Sequence, residues 1–224
     1  MEKIGEGAEK EVYLHPDIPE KVISRFNEEH FERESELSIK GRYYLAKILH
    51  LLTPTNIPDT NLAAKGENVV IISERKKLDD EHLEHNRVKM LLRGKMPAEQ
   101  KNDLLRKETE LLDDRAEKLF YDERFISFEK KMREVGVRFD DYPTNFGNDE
   151  NNNLVYIDNS FKPWYELSGR LRRNYSVSGI RTAIGGLSAD KQSHALNYLQ
   201  RLEEFYAFSK KEFYERGSKS ASQK

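Results

Sequence analysis

Two stretches of this chain carry residue types at spacings that suit phosphoryl transfer. They are Asp140-Asp141-Tyr142-Pro143-Thr144-Asn145 and, further on, Leu154-Val155-Tyr156-Ile157-Asp158-Asn159. Moving a phosphoryl group requires a carboxylate near the acceptor hydroxyl and oxygen ligands for magnesium. Asp140 and Asn145 stand five positions apart with Pro143 two before the Asn, and Asp158 follows Asn145 by thirteen. The apolar run Leu154–Ile157 reads as a strand, and the polar segment Gly147–Asn153 as the hairpin that leads into it. A solvated loop in which Asp and Asn only form turns would use the same residue types. The joint spacing, with proline and strand in register, weighs against that alternative.

Far upstream lies Ile4-Gly5-Glu6-Gly7-Ala8-Glu9-Lys10-Glu11-Val12-Tyr13. Gly5 and Gly7, one residue apart before a strand, let a backbone pass close over phosphates. A plain glycine turn before a strand would look the same. In a strand Lys10 and Val12 point to one face.

The elements that must position these groups are legible in outline. Glu11–Leu14 and Lys21–Ser24 read as strands around the turn His15-Pro16-Asp17-Ile18-Pro19, and Val69–Ile72 as a buried strand. Residues 27–52 read as a helix that Gly41 interrupts. Pro97 to Phe120 reads as a charged helix with apolar pairs Leu104/Leu105, Leu111/Leu112 and Leu119/Phe120, a stripe suited to core packing more than to a coiled coil. Asp122 to Val135 reads as a helix with Gly136 at its C-cap, and Ser188 to Tyr214 as another. The small polar residues of the 215–224 tail are expected to be disordered.

The spacing at 140–158 resembles that of the protein-kinase superfamily in a compact, bacterial-style form. Val12-Tyr13-Leu14-His15-Pro16-Asp17 together with Ile157-Asp158-Asn159 is also similar to kinase-like proteins of the YrbL type. The resemblance spans about residues 4–165. It implies an α+β, two-lobed protein-kinase-like fold, with a small β-rich N-lobe over 1–76 and a reduced helical C-lobe over 77–214. It further implies ATP and magnesium as cofactors, Asp140 as the catalytic-loop aspartate, and Asn145 and Asp158 as metal ligands. Gly5, Gly7 and Val12 would line the nucleotide. The sequence departs from the family at several places. Arg138-Phe139 precedes the catalytic Asp, Asn159-Ser160 follows the metal Asp, Lys10 stands at the third glycine, and no A-P-E motif follows.

The phosphate-binding lysine of the third strand would fall on Ser24 or Arg25. The with-no-lysine kinases take that lysine from the Gly-rich loop, at the place Lys10 occupies here. Lys10 therefore ranks ahead of Arg25, and Arg25 ahead of Lys21. The helix carboxylate that would pair with it is Glu34 or Glu36. Backbone at Ser73-Glu74-Arg75 is the expected adenine hinge.

The 224 residues hold 35% charged and 37% hydrophobic side chains with a net charge of −2. That balance supports a core but not non-specific nucleic-acid binding. With no cysteine, disulfides, thiolate metal sites and cysteine nucleophiles are excluded. No apolar stretch approaches the roughly 20 residues of a membrane span, and no signal peptide is visible, so a cytoplasmic location without membrane or nucleic-acid partners is expected. The implied activity is an ATP-dependent kinase acting on a hydroxyl, with a protein Ser/Thr acceptor favoured. A regulatory pseudokinase and a small-molecule phosphotransferase are the alternatives. His82 and His85 are expected to be exposed rather than metal ligands. Arg170, Arg172, Arg173 and Arg181 form either a grip for an acidic or phosphorylated partner or, slightly favoured, a solvated face, and Trp164 and Tyr165 are expected to anchor that segment.

Overall fold

The computed structural model describes residues 1–6, 10–26, 36–65, 68–92, 94–158 and 161–221, and their architecture is mixed α+β. β1 (Lys3–Glu6), β2 (Lys10–Leu14), β3 (Lys21–Phe26), β4 (Thr60–Lys65) and β5 (Asn68–Glu74) form one antiparallel sheet in the order β1-β2-β3-β5-β4. The turn between β2 and β3 is closed by the His15 ring, whose Nδ1 accepts from the N–H groups of Asp17 and Ile18, both at 3.2 Å. β4 was not expected, because Asn, Ala and Lys are poor strand formers. Its full-length pairing with β5, from Thr60↔Ser73 to Lys65↔Asn68, overrides that propensity.

Helix α1 (Glu36–Leu52) runs unbroken through Gly41. That glycine serves packing rather than interruption. A Cβ there would lie 2.6 Å from the Trp164 ring. The part of the expected helix over 27–35 lies outside the described residues. α1 contributes Leu45, Ile48 and Leu49 to the main core, where they join Met132, Phe146, Ile180 and Leu199. Its Ile39 instead meets Ile71 and Leu62 of the sheet. One helix thus packs both on the sheet and into the helical part of the chain.

Beyond residue 76 come α2 (Asp80–Leu92), α3 (Ala98–Phe120), α4 (Glu123–Glu134), a 3-10 turn (Pro143–Asn145), β6 (Phe146–Asn148) and β7 (Leu154–Tyr156). The hairpin β8 (Trp164–Leu167) and β9 (Arg170–Arg173), then α5 (Val177–Ile184) and α6 (Ala189–Ala221), complete the order. Asp122 caps α4 by accepting the Arg124 N–H at 2.8 Å. Gly136 ends that helix with φ of 66°, a left-handed conformation that glycine adopts without Cβ strain. Of the six apolar residues paired along α3, only Leu119 is buried. The expected core stripe is therefore realised only at the C-terminal end of the helix.

The tail departs from expectation as well. α6 continues through Gly217 to Ala221 instead of ending near Tyr214. Elongating a helix adds one hydrogen bond per residue fixed, so a helix packed over its earlier turns propagates through small polar residues.

Candidate active site

Aromatic packing sets the site. Phe139 precedes Asp140, Phe146 follows Asn145, and Tyr156 stands two before Asp158. Their ring centroids lie 6.1 Å apart for Phe139–Phe146, 5.8 Å for Phe139–Tyr156 and 5.0 Å for Phe146–Tyr156. Phe125 and Phe128 of α4 pack against the same cluster. Burying these rings fixes the backbone on both sides of each polar residue. Burial also pushes the Tyr156 hydroxyl well above its ordinary range, so it stays protonated.

Register does the rest. β6 and β7 pair antiparallel with Phe146 opposite Tyr156. The next step outward places Asn145 opposite Ile157, whose N–H donates to the Asn145 carbonyl at 2.7 Å. Asp158 is then the first residue beyond that bond. Asn145 Nδ2 donates to the Asp140 carbonyl at 3.2 Å, which leaves its Oδ1 as the side-chain oxygen for a cation. Asp140 is held through its backbone, with its N–H 3.4 Å from the Tyr156 hydroxyl. One carboxylate oxygen, Oδ1, accepts the Tyr142 N–H at 3.1 Å. The exposed side chain keeps Oδ2 for an acceptor.

Lys10 closes the group from the sheet side. Its Nζ lies 2.7 Å from Asp158 Oδ1, with the two side chains 16% and 26% exposed. The three basic candidates separate on strand alternation. Directly paired residues share a face, so Val12 and Leu14 lie with Ser24 and Val22, and Lys10 shares their alternation. Glu11 and Tyr13 lie on the other face with Arg25 and Ile23. Arg25 sits 5.9 Å from the Tyr13 ring centroid on that opposite face, and Lys21 shares its parity and pairs with Glu74. Among the described residues, Lys10 is the basic side chain that this sheet brings to Asp158. Gly5 pairs with Val12 beside it. Gly7 and Glu34 lie outside the described residues. Glu36 forms an i,i+4 ion pair with Lys40 and is not brought to Lys10.

In the segment expected to serve as the hinge, the N–H groups of Glu74 and Arg75 donate to the carbonyls of Asp59 at 2.9 Å and Glu20 at 2.7 Å. Leu78 follows, bridged to Asp149 and seated over Gly147, where a Cβ would come within 3.0 Å of it.

Behind residues 140–146 lies a buried polar cluster that sequence reading missed. Arg115 of α3 is 9% exposed. Its Nε donates to the Pro143 carbonyl at 3.0 Å, and its Nη2 donates to the Phe146 carbonyl. Those two carbonyls bracket Thr144 and Asn145. Asp79 accepts the N–H groups of Asn148 at 2.6 Å and His82 at 2.8 Å, and lies 3.9 Å from Arg115. Burial alone would raise its carboxyl. The two N–H bonds and the Arg115 charge outweigh burial and hold it below the usual carboxylate range. His82 Nδ1 lies 3.3 Å from the Phe146 carbonyl and 3.2 Å from Arg115 Nη2. With its proton on Nδ1 the neutral ring donates to that carbonyl, and Nε2 accepts from Asn86 Nδ2 at 2.8 Å.

His82 and His85 are not exposed, contrary to expectation. They are 5% and 1% exposed. Burial, then the charges of Arg115 at His82 and of Lys89 and Arg115 at His85, push both imidazoles down to about 4. Both are neutral in the folded protein below the ordinary histidine range, while the unfolded chain binds their protons. Stability is therefore full above about pH 6.5 and falls as pH drops from there toward about 4, by about 1.4 kcal/mol per pH unit per histidine. Neither His85 nitrogen has a hydrogen-bond partner among the described residues. His85→Leu is expected to remove roughly half of this acid loss and to stabilise the protein at pH 7 by about 1 kcal/mol. Urea midpoints measured across this pH range test it; an unchanged acid slope would refute the assignment.

Among the described residues no cluster of three or more His, Cys, Asp or Glu forms a metal site. Asn145 and Asp158 instead offer the sparse, hard oxygen set that magnesium uses when phosphates complete its shell. A cavity of about 630 Å³ between α4 and residues 53–56 contains none of Lys10, Asp140, Asn145 or Asp158, so side-chain chemistry and not concavity locates the site. No helix among the described residues is long and apolar enough to cross a membrane. Compared with protein-family models and with curated protein sequences, the chain matches none.

Proposed function

We propose that this protein is an ATP- and magnesium-dependent kinase with a two-lobed, protein-kinase-like arrangement, which transfers the γ-phosphoryl group to a hydroxyl, favouring Ser or Thr of a protein. The observation that carries this reading is the 2.7 Å contact between Lys10 of β2 and Asp158 at the end of β7. It joins a sheet strand to the residue after Ile157, whose N–H is bonded to the Asn145 carbonyl. Magnesium held by Asn145 and Asp158 would neutralise phosphate charge and orient the nucleotide. Val12, on the Lys10 face, would lie along the base, and Gly5 would let the backbone approach the phosphates. Lys10 would bind phosphate oxygens, and Asp140 would orient the acceptor and take its proton. The bond from the γ-phosphorus to the bridging oxygen breaks, a bond from phosphorus to the acceptor oxygen forms, and ADP leaves.

The same Lys10–Asp158 contact also supports a second reading, a regulatory module without turnover. The cation meant for phosphate and the carboxylate meant for metal neutralise each other, so nucleotide must displace that pair.

Nucleotide binding is the first test. Mg-ATP at a hundredfold excess over its Kd should stabilise the folded chain by about 2.7 kcal/mol. That raises Tm by roughly 5–10 °C for a chain of this size. Asp158→Asn should remove the magnesium-dependent part of the shift. No shift with the wild type, or an equal shift with Asp158→Asn, would reject the site.

A further inference from the structure

The β8–β9 hairpin, which begins at Trp164, has two unlike faces. Trp164 and Arg173 are paired and turn inward. The Trp164 ring lies 6.0 Å from Tyr206, and Arg173 makes a bidentate pair with Glu203, its Nε 2.9 Å from Oε1. The pairs Tyr165↔Arg172 and Leu167↔Arg170 therefore occupy the outer face. Arg170 and Arg172 are exposed, and Leu167 is 47% exposed. Arg138 joins them, its guanidinium 6.0 Å from the Tyr165 ring centroid. Among the described residues none of these three arginines forms an ion pair, although Arg173 on the inner face does. The face is also tied to the catalytic segment. Asn174 Nδ2 donates to the carbonyls of Arg138 at 3.2 Å and Lys162 at 2.9 Å, and Arg138 stands two residues before Asp140.

We propose that the outer face of this hairpin, carried by Arg138, Tyr165, Arg170 and Arg172, docks an acidic peptide segment of the protein acceptor beside Asp140. This rests on the kinase reading for its position, but its binding readout does not need turnover. Arg170 and Arg172 alternate along one strand and so lie about 7 Å apart, the repeat of alternate residues in an extended peptide. Guanidinium forks grip carboxylates in pairs, and Tyr165 and Leu167 give the intervening residues apolar contact. A net charge of −2 and three guanidinium groups fall short of the six to ten phosphate contacts typical of nucleic-acid binding. The chemistry favours a short carboxylate-bearing strand.

The probe is a fluorescent peptide with one Ser flanked by alternating Glu residues, compared by anisotropy with its Gln twin. The wild type should bind the Glu peptide about tenfold tighter at low salt, with the advantage shrinking as salt rises. The double variant Arg170→Glu/Arg172→Glu should lose that preference, and Arg170→Gln/Arg172→Gln most of it. Lys95→Glu/Lys101→Glu, which makes the same charge change at exposed positions outside the hairpin, should keep it. Equal binding of the two peptides by the wild type, or retention by the hairpin variants, overturns the inference. So does tighter binding of a single-stranded oligonucleotide or of phosphatidylserine vesicles. Mg-ATP stabilisation read on the same samples separates the two proposals. Stabilisation without peptide preference overturns the docking face and leaves the kinase reading. Peptide preference without stabilisation supports the face and overturns the kinase reading.

Discussion

Asp140→Ala is expected to lower phosphoryl transfer by about a thousandfold while leaving Mg-ATP stabilisation nearly intact. A positioned base that accepts the acceptor proton contributes roughly a hundred- to ten-thousandfold, and on the proposed reading Asp140 would act only as the acceptor attacks. Its geometry separates this role from nucleotide binding. The backbone of Asp140 is anchored by Tyr156 and Asn145, and only one carboxylate oxygen is engaged, by the Tyr142 N–H. Truncating the side chain removes the acceptor contact without freeing the loop. Lys10→Ala should instead impair both transfer and nucleotide binding, because it removes positive charge beside the phosphates. Arg25→Ala should impair neither, since Arg25 faces away from Asp158. Single-turnover labelling with ATP, set beside the thermal shift, makes the comparison. Transfer unaffected by Asp140→Ala would refute the role. A wild type that binds Mg-ATP but labels neither itself nor any acceptor would move the protein to the regulatory reading.

Arg115→Met is expected to have the largest effect on folding, about 2–4 kcal/mol of lost stability. The side chain is buried and donates to the Pro143 and Phe146 carbonyls, which keep only the Phe146 N–H and the His82 ring as partners once it is gone; each lost hydrogen bond from a charged donor costs about 1.5–3 kcal/mol. Asp79 loses its nearby charge as well, which adds the cost of a poorly compensated carboxylate. Arg115→Lys restores the charge but reaches only one carbonyl at a time, so it should fall between wild type and Met. Those carbonyls bracket Asn145, so the Lys variant should also weaken Mg-ATP stabilisation out of proportion to its loss of stability. Urea unfolding and nucleotide-dependent Tm shifts on both variants check this. A Met variant within about 0.5 kcal/mol of wild type would show that Arg115 does not hold the loop.

The Asp140, Asn145 and Asp158 constellation was legible from sequence because local rules place it. A proline-started turn, a short hairpin and an apolar strand set the register over fewer than twenty residues, and side-chain alternation then follows. The helices over 98–120 and 123–134 and the glycine after the latter were legible for the same reason, since caps and apolar spacing act within a turn or two.

What the tertiary structure decided are the pairings across long stretches of chain. Lys10 was ranked first among three basic candidates, but only the sheet shows that Arg25 and Lys21 fall on the face away from Lys10. The contact with Asp158 spans 148 positions, beyond any local pattern. The N–H groups of Glu74 and Arg75 are engaged by carbonyls from Asp59 and Glu20, partners that no local pattern reveals. His82, His85 and Arg115 look like surface residues in a charged sequence. His82 and Arg115 are buried because α2 and α3 pack around the backbone carbonyls of Pro143 and Phe146, which require donors wherever water is excluded. Gly41 read as a helix breaker, yet Trp164 needs the space a Cβ would fill. Local sequence preferences determine the turns, caps and alternation; burial, which depends on what arrives from elsewhere in the chain, determines which polar groups face each other.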